Sequence, residues 1–185
     1  MHLRRFSRLY ARFADAKQPT KASLPALNYD YSELEPVISK AQLELHHKKH
    51  HQNYVNNLNS AVEQFQEAQA RHDYNKMAEL SDKIKFNLGG HINHSIFWEN
   101  LAPIGKGGGE FPTEESPFTQ QVLKQFTSYE NLINEFTQKT VPIQGSGWGW
   151  LAYDAHSKAL RVMELPNQEM LAPKGLTPLL SKTYL

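Results

Sequence analysis

The sequence predicts an α+β chain, with an N-terminal antiparallel helical hairpin followed by a C-terminal α/β domain built on a three-stranded antiparallel sheet. Ser39 to Ala70 contains neither glycine nor proline and carries Leu43, Val55, Leu58, Val62 and Phe65 as an apolar stripe, which predicts a helix. Leu101 to Pro117 holds three prolines and four glycines, which ends all periodicity. GSGWGWLAYD, Gly145 to Asp154, then alternates large and small residues in the manner of a strand.

In chain order, the first 17 residues set Arg4, Arg5, Arg8 and Arg12 among Phe6, Leu9 and Phe13, with Asp15 the one acid. An amphipathic, arginine-rich, acid-poor leader is the pattern of a mitochondrial presequence. Residues 1–20 are therefore set apart as a presequence and the mitochondrial matrix is the expected location. LPALNYDYSELEP, from Leu24, is an extended aromatic lead-in, with Ser32 and Glu35 at capping-box spacing and Pro36 near a helix start. One long helix is expected from about Ser39 to Ala70. A turn and a short helix are expected over His72 to Lys85, and a helical run from Leu88 to Asn100 that returns antiparallel to the first. The division is then 21–102 for the hairpin domain, 103–116 for a linker and 117–185 for the C-terminal domain. Phe118 to Thr140 reads as two short helices, the second opened by Ser128 as N-cap. Gly145–Asp154 and Ala159–Leu165 read as a hairpin, and GLTPLLSKTYL as the start of a third strand.

Composition narrows the chemistry. A net charge of +1 lacks the basic excess of a nucleic-acid binder, and no apolar run approaches a membrane span. Small molecules or protein partners are the expected ligands. Without cysteine, any metal must be held by His, Asp or Glu. Four of the nine histidines, His46, His47, His50 and His51, fall within six residues. On an α-helix His46, His50 and Tyr54 would share one face, which is either a solvated basic surface or a site. A second helix offers His91 and His94, with Trp98 one turn on, and two histidine-bearing helices of one hairpin can place nitrogen ligands about a metal. A di-iron carboxylate reading from Glu44 and His47 fails, since no second E-x-x-H occurs.

LELHHKKHHQNYVNNLN, FNLGGHINHSIFWENL, QGSGWGWL and PNQE, in this order and at these intervals, resemble the manganese superoxide dismutases of the iron/manganese family from Ser23 to Leu180. The resemblance implies disproportionation of superoxide to dioxygen and hydrogen peroxide at a redox-cycling manganese. It makes His46 and His94 metal ligands and gives His50 and Tyr54 to the outer hydrogen-bond network and substrate entrance. Trp148 and Trp98 line the metal pocket in this reading, and Gln168 contacts the metal-bound solvent. Many iron enzymes supply that amide from the position of Gly90, so manganese is favoured over iron. His47, His51 and His91 match no ligand and are read as structural or surface residues. The family assembles as homodimers or homotetramers.

The resemblance stops at the last residues. Family members follow the PLL stretch with an aspartate and a third histidine in a DVWEHAYY-like segment, whereas here SKTYL follows Leu180. Thr183 falls at the aspartate's position and nothing matches the histidine, so the expectation is a C-terminally truncated member whose closing helices are missing. A chain with two of four ligands is expected to be a poor dismutase. The alternative is a non-enzymatic paralogue that acts by association with an intact dismutase.

Overall fold

The computed structural model describes residues 21–184, so the presequence reading lies outside the described residues. The lead-in does not cap a helix through Ser32 and Glu35 as expected. Instead Asp30 accepts from the Ser32 amide and hydroxyl, and Glu33 accepts from the Asp30 amide, which closes a local turn. The first helix, α1 (Lys40–Leu45), is capped by Ser39, and Glu35 accepts from the Lys40 amide at 3.0 Å.

The long helix expected to Ala70 is not uniform. A six-residue π-helical turn, His46–His51, separates α1 from α2 (Gln52–Ala70), and the Gln52 amide reaches back five residues to the His47 carbonyl. The return helix, α3 (Tyr74–Asn100), is continuous over 27 residues rather than a short helix ending by Lys85 and a second run from Leu88, and Gly89 and Gly90 lie inside it. Its N-cap Asp73 accepts from the Lys76 amide. The helices run antiparallel: Ala61, Ala68 and Leu80 form one packed cluster near the connecting turn, and His51 meets His91 toward the far end.

After the glycine-rich segment come α4 (Pro117–Phe126) and α5 (Tyr129–Thr140), each opened by a serine N-cap, Ser116 and Ser128. The three-stranded antiparallel sheet expected from the sequence follows: β1 (Gly147–Asp154), β2 (Ala159–Pro166) and β3 (Thr177–Tyr184), in the order β2-β1-β3. Strand alternation divides β1 between two cores. Leu151 packs with Val122, Leu132, Leu160 and Val162 against α4 and α5. Trp148, Trp150 and Ala152 face the opposite way and join Leu43, Ile96, Phe97 and Trp98 of the hairpin. No helix among the described residues is long and apolar enough to cross a membrane.

The α3 helix docks the C-terminal elements as well as pairing with α2. Asn100 at its end donates to the Leu179 carbonyl and accepts from the Ser181 amide and hydroxyl. Asn93, buried, donates to the Glu169 carbonyl. Both amides satisfy backbone groups of segments more than 70 residues away, which fixes β3 and the β2–β3 loop on the hairpin.

Candidate functional site

The candidate residues gather where the π turn, the middle of α3 and β1 converge. His46 is half-buried and His94 fully buried, and their rings meet edge to face with centroids 4.9 Å apart. Trp148 stands edge-on to His94 at 5.0 Å, Trp98 lies 4.9 Å from His46, and Phe97 lies 5.5 Å from it. The Tyr54 ring is 5.2 Å from His94. Gln168 is buried and its Oε1 accepts from Trp148 Nε1 at 3.1 Å. Six of the sequence-selected residues therefore lie in one cluster: His46, His94, Tyr54, Trp98, Trp148 and Gln168.

His50 departs from the expected arrangement. It is exposed, its ring 6.0 Å from His46, and it does not form the inner continuation of the His46 face. The cause is the π turn. One extra residue in the turn rotates everything after it by about 100° relative to an α-helix, so the i+5 histidine, His51, turns inward where His50 was expected.

Of the two alternatives read for the remaining histidines, structural or surface residues, the fold supplies the structural one. His47, His51 and His91 are all buried. The His51 Nδ1 accepts from Trp98 Nε1 at 2.8 Å, and an indole nitrogen can only donate. His51 therefore keeps its proton on Nε2 and donates to His91 Nδ1 at 2.8 Å. In His47, Nε2 donates to the Pro25 carbonyl and Nδ1 accepts from the Tyr31 hydroxyl, both at 2.8 Å. The i, i+4 spacing of His47 and His51 puts them on one helical face but does not say that this face is buried, and no sequence signal separates His91 from a surface histidine.

The same argument fixes the free lone pair of His94. Its Nδ1 donates to the Gly90 carbonyl at 2.7 Å, which leaves Nε2 unprotonated, buried and without a hydrogen-bond partner; His46 Nε2 is likewise buried and unpartnered. A backbone carbonyl on one ring nitrogen is the arrangement that orients a metal-binding imidazole. Burial, with neighbouring histidines adding to it, lowers the pKa of His46 to about 4 and of His94 to about 3, so both are neutral donors at physiological pH. Burial raises the Tyr54 phenol above its ordinary value and keeps it protonated.

Two adjacent glycines allow this close packing. A methyl group on Gly90 would lie 2.4 Å from the Tyr54 ring, and one on Gly89 would lie 1.9 Å from the Gln168 carbonyl oxygen. Gly89→Ala gains about 1 kcal/mol of helix propensity but collides with backbone, where overpacking costs about 1–3 kcal/mol or more. We expect a net loss of about 1–2 kcal/mol in urea unfolding; a stabilised variant would mean that the Gln168 loop yields freely.

Among the described residues no group of three or more His, Cys, Asp or Glu side chains is placed to hold a metal ion. Two imidazole nitrogens fit a metal as donors, but without a carboxylate they do not fit a complete redox-cycling manganese or iron centre.

Comparison with known proteins gives the same outline. Residues 21–102 match the family described as iron/manganese superoxide dismutases, alpha-hairpin domain, and residues 114–183 match its C-terminal domain. The chain is similar to an iron superoxide dismutase of Tetrahymena pyriformis, 53% identical over 155 residues that cover 84% of this chain and 79% of the relative. It is also similar to a mitochondrial manganese superoxide dismutase of Drosophila melanogaster, 47% identical, covering 86% and 71% of the two chains. A manganese superoxide dismutase of Chlamydia trachomatis is 46% identical, with 85% and 76% covered.

Proposed function

Because the chain belongs to the iron/manganese superoxide dismutase family, we propose that its substrate is superoxide, disproportionated to dioxygen and hydrogen peroxide in the pocket where His46 and His94 serve as two metal ligands. The observation that carries this reading is the pair of buried, unpartnered Nε2 atoms on rings 4.9 Å apart. The metal supplies the redox chemistry when bound. The chain's own residues do the rest: Trp98, Trp148 and Phe97 wall the pocket with aromatic rings, Gln168 is held by Trp148, and Tyr54 keeps a phenol proton beside His94. His50, exposed next to His46, is suited to the entrance.

Manganese is proposed over iron because the amide comes from Gln168, while the Tyr54 ring fills the space in front of Gly90. The arginine-rich first 20 residues and the mitochondrial names of relatives in Drosophila melanogaster and Zea mays support the mitochondrial matrix.

With two imidazoles and no carboxylate among the described donors, dismutation by this chain is expected to be weak. Changing one partner outside the metal's ligand set commonly costs about 10–100-fold in affinity or activity, and absent ligands should cost more. Stopped-flow superoxide decay with the purified chain, together with its metal content, tests this. We expect a rate at least about 100-fold below that of a four-ligand relative; stoichiometric manganese with an equal rate would refute it.

The incomplete donor set also favours a second reading, a non-enzymatic chain that associates with an intact dismutase. The edge strand β3 exposes Leu180 and could take part. Sedimentation of the two chains mixed distinguishes the readings by whether a joint species forms.

A further inference from the structure

The outer edge of β2 is closed by side chains. Strand β2 has β1 on one side alone, so every second residue turns its amide and carbonyl outward. Helix side chains take these groups in succession. Gln121 Nε2 donates to the Lys158 carbonyl at 3.2 Å, Gln125 Nε2 to the Leu160 carbonyl at 3.3 Å and Lys139 Nζ to the Val162 carbonyl at 3.0 Å. Gln125 Oε1 also accepts from the Leu160 amide at 2.7 Å and from Gln121 Nε2 at 2.7 Å. The Gln125 carboxamide thus meets both groups of Leu160 as a neighbouring peptide unit would. Spacing explains the fit: four residues of α4 rise about 6 Å and two residues of a strand about 6.6 Å, so glutamines one helical turn apart reach successive outward positions.

An unpaired strand edge is a template for another strand. A groove of about 540 Å³ lies along this edge, lined in part by Gln125, Glu135, Lys139 and Val162, and a strand entering it must displace the exposed side chains of Gln125 and Lys139. A second copy of the chain offers two edges. Its β3 edge carries Pro178, which has no N–H, and Asn100 already spans Leu179 and Ser181 there. Its β2 edge is the better match, since two copies can pair antiparallel about a two-fold axis with Val162 opposite Val162. We infer that Gln121, Gln125 and Lys139 stand in for a fourth strand and hold the chain apart from a second copy that would otherwise pair through β2. Leu160 and Val162 pack under α4 and α5, away from the histidine cluster, so the inference is independent of the metal reading.

Sedimentation velocity and amide exchange by NMR, at low and high concentration, test this on the full chain and on a variant carrying Gln125→Ala and Lys139→Ala. A pairing strand must displace each capping bond, so removing the caps should tighten the dissociation constant of the dimer at least about tenfold. In the dilute variant the Leu160 amide should exchange at least about tenfold faster than in the unaltered chain. At high concentration the amides of Leu160, Val162 and Glu164 should become protected together, in a dimer that grows no further because a two-fold contact closes on itself.

A variant that sediments as the unaltered chain does at every concentration overturns the inference. So does a dimer whose new protection falls on β3 or outside the sheet, or association that continues past the dimer. If the double variant lacks a native circular dichroism spectrum, Gln125→Ala alone is read in the same way, since it frees Leu160 while leaving Lys139 on Val162.

Discussion

Acidifying the metal-free chain from pH 6.5 to about 5 is expected to lower its stability by several kcal/mol, about 4–6 by the shifts of its buried histidines. Burial lowers the pKa of His46 to about 4, of His94 to about 3 and of His51 to about 2, and neighbouring histidines add to each shift. His47 and His91 are also lowered, again by burial first. Unfolded histidine titrates near 6.5, so between that value and the folded values the unfolded chain binds more protons. The contribution of these residues is complete above about pH 6.5 and is lost as pH falls toward the folded values. Each of the three most shifted histidines contributes a slope near 1.4 kcal/mol per pH unit, or about 4–6 kcal/mol together by pH 5. That is a substantial share of the about 5–15 kcal/mol by which native domains are stable. The exposed carboxylates with lowered pKa, such as Glu79 and Asp154, act only well below this window. Tryptophan fluorescence in urea, with chelator present, should give a midpoint that falls steeply between pH 7 and 5. A midpoint unchanged over that range would mean that these rings accept protons inside the fold.

The sequence was legible where periodicity and turn chemistry act locally. The stripe through Val55 and Leu58, the glycines and prolines after Leu101 and the alternation around Trp148 each specify an element through contacts within a few residues, and the hairpin and antiparallel sheet appear accordingly. What was not legible depended on distant partners. The sequence places Gly89 and Gly90 inside a helix without showing their purpose, which is to admit the Gln168 carbonyl and the Tyr54 ring, contributed from far along the chain and from the other helix. Ser32 and Glu35 have capping-box spacing, yet Asp30 and Glu33 close their own turn first. The π turn is the largest difference. At 3.6 residues per turn His46 and His51 lie about 140° apart; the wider turn narrows that spread, and tertiary contacts to Trp98, Tyr31 and His91 stabilise it.

His51 is therefore the residue whose replacement should most disturb this region. The side chain is fully buried, joins Trp98 to His91 through two 2.8 Å hydrogen bonds, and packs 5.4 Å from His94. His51→Ala leaves the Trp98 indole N–H buried without its acceptor, at about 1–3 kcal/mol, and opens a cavity the size of an imidazole. We expect a total of about 3–5 kcal/mol in urea unfolding at pH 7.5, where all three rings are neutral. Trp98→Phe removes the donor instead of the acceptor. In a double-mutant cycle the pair should therefore be less costly together than the two single losses added, with a coupling of about 1–3 kcal/mol. A surface or bystander histidine would show neither the loss nor the coupling. A single-variant cost below about 1 kcal/mol would mean that the His51–Trp98 bond does not hold the π turn. The acid experiment supplies an independent check on the same side chain. His51→Ala deletes the most strongly shifted histidine, so the pH dependence of the variant between 7 and 5 should be shallower by about one proton, whatever its absolute stability.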